Sequence, residues 1–513
     1  MKMSRRDFSL LLGSSGLAAC TPGLDPLDDA GTVRDARAPQ DATSPDAGLE
    51  PDSATDASTP AEGLYASRTK TVSPDADGAG DGSDARPWTL TQAMELAVAG
   101  DVVGIRPGRY VGRQPQASID DPSLTNNLPA WAPANDGTAE APIVFVAQFS
   151  AAHHDADRSE LHSGASHGAG SRTGWPCFGT RMRTRTSHVK WIGLYADEGD
   201  PEGHISQDCG VITCWNADHV TIAECHVVGD PEVDGGDNYS AIRLEGVADT
   251  AIHDNRLEGF WGGGGTNNSG VILYGVDRLR VEHNHFLRCA HGVQPKGAGY
   301  GLEMQALTVR LNHFEGCVSA LRLHRPVANP GGSRSRVQQN LVEGCRYFIE
   351  LTTSSGVMRV ADLDVFNNTI AHGRDGADPG CIWWAAPPDG GDCRVFNNLF
   401  FDVDAYLGSY SASAAAIAGF AAYDHNALSF ARSAFGGSRA LQDMALSEWQ
   451  STHGQDRSSL VGDPRVDDAY RLQPDSPCVG AGRDLLGLFG PVDGPVDIGA
   501  FVTGGETIGI RTA

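Results

Sequence analysis

Basic residues are scarce in this 513-residue chain: 39 Lys and Arg stand against 65 Asp and Glu, for a formal net charge of −26. A chain that acidic repels a phosphate backbone, so nucleic acid is excluded as an expected partner. Long apolar runs are missing too, and the stretch beginning at Leu10 is too short to span a bilayer as a helix. None of the 11 cysteines forms a C-x-x-C pair, which removes zinc-ribbon spacing. The repeated segments described below lack the three-to-four periodicity that a helical solenoid needs.

What is present at the N-terminus reads as targeting. Ser4-Arg5-Arg6-Asp7-Phe8-Ser9-Leu10 resembles a twin-arginine export signal, and Leu17-Ala18-Ala19-Cys20 resembles a bacterial lipobox. The resemblance implies that residues 1–20 are a signal peptide and that Cys20 is acylated. The chain is then exported and lipid-anchored in the cell envelope, at the periplasmic side, the outer membrane or the cell surface, with Cys20 as its membrane contact. Residues 21–62 are Asp, Ala, Pro, Ser and Thr with almost no large apolar side chain, a composition that reads as a disordered, extended tether. The tether holds 10 acids and 2 bases and the signal a net +2, which leaves −20 on the body. A local cluster of bases on that body would therefore stand out.

The body carries a repeat. Asn followed two residues later by an apolar side chain recurs at Asn255, Asn284, Asn312, Asn340, Asn368, Asn398 and Asn426, with spacings of 29, 28, 28, 28, 30 and 28. Between these asparagines run short Val-, Ile- and Leu-rich segments that alternate apolar with polar and are punctuated by Gly and Asn. That pattern predicts coils of three short strands and three turns, stacked in parallel at about 4.8 Å. The asparagines then form a ladder at one turn. Cys289, Cys317 and Cys345 each lie five residues after a ladder Asn; a metal or redox role is conceivable, but an interior column of buried thiols is the reading adopted. The fold class is all-β: a right-handed parallel β-helix over residues 63–503, expected to be monomeric.

The segments Gly80-Asp81-Gly82-Ser83, Pro87–Ala93, Gly100–Val103 and Arg106–Tyr110 resemble the N-terminal cap of pectate-lyase-like β-helix proteins. The resemblance implies a cap over about 63–115, with a helix near Leu90–Ala99 covering the open end of the core. Leu472–Cys478 and Asp497–Phe501 resemble the closing segment of secreted β-helices, which places that segment at about 459–503.

With the repeat as a ruler, one strand of each coil presents two outward columns. One reads Ile212, Arg243, Ile272, Gln294, Arg322, Glu350 and Trp383; the other reads Cys214, Glu245, Tyr274, Lys296, His324, Thr352 and Ala385. Arg243, Glu245, Tyr274, Lys296, Arg322, His324, Glu350 and Trp383 form one patch, with Arg325 at its rim. Bases concentrated on an acidic body, together with Tyr, His and Trp, suit an acidic polysaccharide. A cation neutralises a uronate carboxylate, a base takes the adjacent C–H proton, and an acid protonates the leaving oxygen.

The patch is similar to the alginate- and chondroitin-lyase family of this fold, in which a Lys and an Arg share a column on consecutive coils. The resemblance carries onto Lys296 as base; the Arg position falls on His324, with Arg322 and Arg325 beside it. Tyr274 or His324 is the expected acid, and Arg243, Glu245, Arg325, Glu350 and Trp383 the expected substrate contacts. Calcium is the one cofactor left open: neither column contains Asp, and Asp230, Asp234 and Asp237 cluster in a loop that also reads as a plain turn. A non-catalytic glycan-binding or adhesive surface is the alternative function. A glycoside hydrolase is disfavoured because Glu245 and Glu350 are expected three coils apart, roughly 14–15 Å.

Overall fold

The computed structural model describes residues 60–113, 128–163, 176–181, 184–197, 210–229, 239–262, 267–297, 302, 304–323, 334–352, 363–373, 381–384, 393–409, 412–437, 441, 443–483, 496–501 and 507–511. The signal peptide, Cys20 and nearly all of the expected tether lie outside these residues. The unit from Thr59 onward is a parallel β-helix of about ten coils. Every strand pairing between coils is parallel. The repeat reading is correct, and its register follows the Asn spacing.

Each coil contributes to three faces. The first holds the start of the long strands Gly210–Ala223, Ser240–His253 and Ser269–Glu282, then His291–Pro295, Ser319–Leu323, Tyr347–Leu351 and Ile382–Trp384. The second holds the ends of those long strands, then Thr308–Arg310, Ser335–Gln338 and Leu363–Phe366. The third holds His226–Val228, Arg256–Glu258, His285–Leu287, His313–Glu315 and Leu341–Glu343.

The sharp turn between the second and third faces is built the same way in every coil. The residue before the ladder Asn adopts a left-handed conformation, with φ of 56° at Asp254, 57° at His283 and 57° at Leu311. A side chain pays conformational energy there, and the following Asn supplies the compensation. The backbone N–H of Asn284 donates to Oδ1 of Asn312 at 3.0 Å, and Asn284 Nδ2 donates to the Ile252 carbonyl at 2.9 Å and to Asn312 Oδ1 at 3.0 Å. The pattern repeats one coil on, from Asn312 to Asn340 and from Asn340 to Asn368. All of these amides are buried, so each bond forms away from competing water.

The interior is a column of stacked apolar side chains in which Phe286 and Phe314 stack at 4.6 Å. Cys289, Cys317 and Cys345 sit in the same core, and none of the nine described cysteines forms a disulfide. The expected helix near Leu90–Ala99 spans Leu90–Leu96. A capping box joins Thr89 and Gln92 at its start, and Leu90, Ala93 and Met94 enter the core. It stops early because Asp101 Oδ2 accepts the Val98 N–H at 3.0 Å and tightens a turn there.

The C-terminal segment runs back along the ladder turn, and it reaches further than the expected end at 503. Asn367 Nδ2 donates to the carbonyls of Asp497 and Gly499, the Gly509 N–H donates to the Leu311 carbonyl, and Arg511 Nη2 donates to Asp254 Oδ2 at 2.6 Å. Burial alone would raise the Asp254 pKa. Hydrogen bonds from His253 and Arg511 outweigh burial and hold its carboxyl well below the usual range. A depressed carboxyl contributes stability above its unfolded value, about 4, and loses that contribution as the pH falls through the acid range. Arg511→Ala is therefore expected to lower stability at neutral pH by about 2 kcal/mol and to flatten the acid limb. Unfolding followed by circular dichroism from pH 7 to pH 3 checks both effects; an unchanged acid limb would contradict this role.

Candidate functional site

The outward columns of the first face are mostly as the spacing places them, with one correction. Arg243 pairs with Ile272 and Thr213, Glu245 with Tyr274 and Trp215, and Ile242 with Ile212. Ile212 and Cys214 therefore point into the core, and Thr213 and Trp215 occupy the outward columns. The start of this strand, Gly210–Trp215, is buried on both sides of its backbone, with Val211 and Trp215 on one side and Ile212 and Cys214 on the other, so alternation does not distinguish the two registers.

A further outward column was not anticipated. Ser240, Ser269, His291, Ser319 and Tyr347 are register partners, one position before the small residues Ala241, Gly270, Gly292 and Ala320. The recurrent Ser at that position was the available signal. Both Ala241 and Ile242 enter the core, so strict alternation fails at this corner and hid the column.

The outward side chains form two connected groups. In the first, the Arg243 guanidinium is ion-paired with Glu245, Nε to Oε1 at 2.7 Å. It lies between two rings, 5.4 Å from the Trp215 centroid and 5.1 Å from that of Tyr274. Lys296 continues the stripe, with Nζ 6.0 Å from the Tyr274 centroid. In the second group, Arg322 Nη1 lies 2.8 Å from His291 Nε2, and Arg322 Nε 3.5 Å from Glu350 Oε2. Because Arg has no acceptor, His291 must accept on Nε2 and carry its proton on Nδ1. Nδ1 then donates to Ser319 Oγ at 3.2 Å, and Ser319 donates to Glu350 Oε2 at 3.0 Å. This closed circuit fixes the guanidinium's direction from behind.

Exposure sorts the patch. Tyr274, Lys296, Arg322 and Glu350 are partly exposed. Trp383 faces outward but is only 4 % exposed and packs on Tyr347, with ring centroids 5.7 Å apart; Trp215 is 3 % exposed and Arg243 8 %. Outward-facing is not solvent-facing on this strand, so neither tryptophan offers an open ring. His324, Arg325 and Ala385 lie outside the described residues. Glu245 and Glu350 are four strand steps apart rather than three, roughly 19 Å.

The described residues of this face do not suit calcium. Its carboxylates are held by Arg243 and Arg322, and Asp230, Asp234 and Asp237 lie outside the described residues. The described residues do contain one group able to hold a metal ion, on the third face: His285, His313 and Glu315.

No protein-family model matches the sequence, and no curated protein matches it. Solved structures match over most of the chain at low identity. One is titled pectate lyase Pel9A, at 13 % identity, covering 84 % of this chain and 96 % of that one, with a TM-score of 0.46. A second is a PL6 family polysaccharide lyase, Pedsa3628 from Pseudopedobacter saltans, at 13 % identity, 75 % and 95 % coverage and a TM-score of 0.39. A third is a GH136 lacto-N-biosidase from Eubacterium ramulus, at 13 % identity, 77 % and 67 % coverage and a TM-score of 0.37. Lyases and a glycosidase alike fall within this range, so the likeness concerns architecture and selects no chemistry.

Proposed function

We propose that the chain is a polysaccharide lyase that cleaves uronic-acid glycans by β-elimination on the first face. The observation that carries this reading is the set Lys296, Tyr274 and Arg322: three partly exposed groups on consecutive coils of an acidic body, with Arg322 held in place by His291 and Glu350. Arg322 pairs with the uronate carboxylate, which makes the C5–H bond acidic. The neutral fraction of Lys296 takes that proton. The C5–H electrons form the C4=C5 double bond, the C4–O4 bond breaks, and the Tyr274 hydroxyl protonates the leaving oxygen. Proton exchange with water resets both side chains. Since Lys must be neutral to act, turnover is expected to rise toward alkaline pH.

A non-catalytic glycan platform is the weaker reading, because both outward tryptophans of the described face are covered. Paired-carboxylate hydrolysis is weaker still, because Glu245 and Glu350 are too far apart to act on one bond. Screening the purified protein against alginate, pectate and glycosaminoglycans for the ultraviolet absorbance of an unsaturated product tests the proposal. Running it with and without chelator shows whether a calcium ion contributes. Failure of every uronan under both conditions would remove the lyase reading.

A lipid-anchored enzyme of this kind would meet polymeric substrate outside the cell, and we place the chain there by its export motif and Cys20. Cys20→Ala is expected to abolish labelling by radioactive fatty acid and to release the protein from the membrane fraction. Unchanged labelling would show that Cys20 is not the acylated residue.

A further inference from the structure

On the third face of the coils that carry Tyr274 and Lys296, a second cluster of chemistry-bearing side chains has no part in the proposed elimination. His285 and His313 are register partners on adjacent coils, and their rings stack at 4.7 Å with only 3° between planes. Glu315 lies two residues after His313 on the same outward side, and its Oε2 is 3.0 Å from His285 Nε2. One donor atom from each of the three lies within 4.8 Å of the others. All three are partly exposed, so an ion can reach them from solvent.

We propose that His285, His313 and Glu315 bind a zinc-class divalent cation, with water completing the coordination. Two imidazole nitrogens and one carboxylate oxygen suit a borderline transition-metal ion, whereas calcium and magnesium favour oxygen ligands throughout. Tetrahedral ligation at about 2.0–2.2 Å brings donors to about 3.4 Å from one another, a contraction that small side-chain rotations supply. The support around the ligands matches the assignment. Glu343 Oε2 lies 3.4 Å from His313 Nε2, and Glu343 Oε1 accepts the Tyr470 hydroxyl at 2.7 Å, which holds a second carboxylate beside the imidazole. The cation nearest in the same column, Arg256, is spent on Glu258 at 2.7 Å.

The ion would tie two coils together beside Tyr470 of the C-terminal region, so its role is to fasten the solenoid. It is independent of the elimination chemistry. The test is calorimetric titration of the chelator-stripped, dialysed full chain with zinc chloride, with cobalt(II) as a spectroscopic probe. The expected result is one zinc per chain, a tetrahedral cobalt spectrum in the visible range, and a raised melting temperature with metal. His285→Ala or His313→Ala should weaken binding by more than about 100-fold, and Glu343→Gln by about 10-fold. The stacked pair His188 and His219 serves as the control, and its double Ala variant should bind normally. His285→Gln keeps a polar side chain, so lost binding can be separated from lost folding. Absence of stoichiometric zinc, undiminished binding in both histidine variants, or displacement of zinc by equimolar calcium would each overturn the proposal.

Discussion

Lys296→Ala is expected to reduce elimination by about 10³-fold, within the 10²–10⁴ that a positioned acid or base contributes, while leaving the melting temperature within a degree or two. The side chain is partly exposed and extends over the face of Tyr274, so its removal opens no cavity in the core. The loss should fall on kcat, because the base acts in the transition state and Arg322 continues to hold the carboxylate. His291→Ala is the complementary case. His291 is buried behind the patch, and its loss frees the guanidinium that its Nε2 orients at 2.8 Å. The expected result is a loss of about 10-fold in kcat/KM, shared between a higher KM and a modestly lower kcat because Arg322 both holds the carboxylate and acidifies C5–H, with the alkaline pH profile intact. Initial rates across substrate concentration and pH separate the two variants. Equal losses in kcat for both would show that Arg322 and Lys296 do not have distinct roles.

Asn312→Ala should be the most destabilising polar substitution tested on the ladder. Asn312 Oδ1 accepts from the Asn284 N–H and Nδ2, while its own Nδ2 reaches the Val281 carbonyl at 2.8 Å and Asn340 Oδ1 at 3.0 Å. Removing the amide leaves several buried backbone and side-chain groups unpaired at once, each at about 1–3 kcal/mol, for a loss of about 4 kcal/mol. Ala also loses the local compensation for the left-handed Leu311. In a stacked array the damage should remain local at first, because each coil contacts mainly its neighbours. Hydrogen exchange would then show protection lost around coils 284–340 before the rest unfolds, and denaturant unfolding would report the free energy. A loss below 1 kcal/mol would mean that the ladder is decorative.

The architecture was legible because a solenoid writes its geometry into the sequence once per coil. Seven asparagines at nearly constant spacing mark a turn whose backbone needs them, and the intervening alternation gives the inward side. The cysteine column followed from the same ruler. The ruler failed where its assumption failed. At Gly210–Trp215 both sides of the strand are buried and carry large apolar side chains, so spacing alone puts Ile212 and Cys214 on the wrong face. At Ala241-Ile242 two consecutive residues turn inward, which concealed His291 and the serine column behind it. Exposure was the other gap. The position of Trp383 follows from spacing, but its 4 % exposure depends on what packs over the strand, and no local pattern encodes that. The His285–His313–Glu315 cluster is hidden for a different reason: its members sit beside the ladder Asn on adjacent coils, 28 residues apart, and no local motif spacing joins them.

The most direct measurement of the central claim is the mass of the products released from a defined uronate oligosaccharide. Elimination rearranges atoms without adding any, so the account predicts fragments whose masses sum to that of the substrate, one of them carrying the unsaturated end. Fragments that sum to the substrate plus one water would mean hydrolysis, and intact substrate bound without turnover would mean a glycan-binding surface; either result would contradict the assignment of Lys296 as the base.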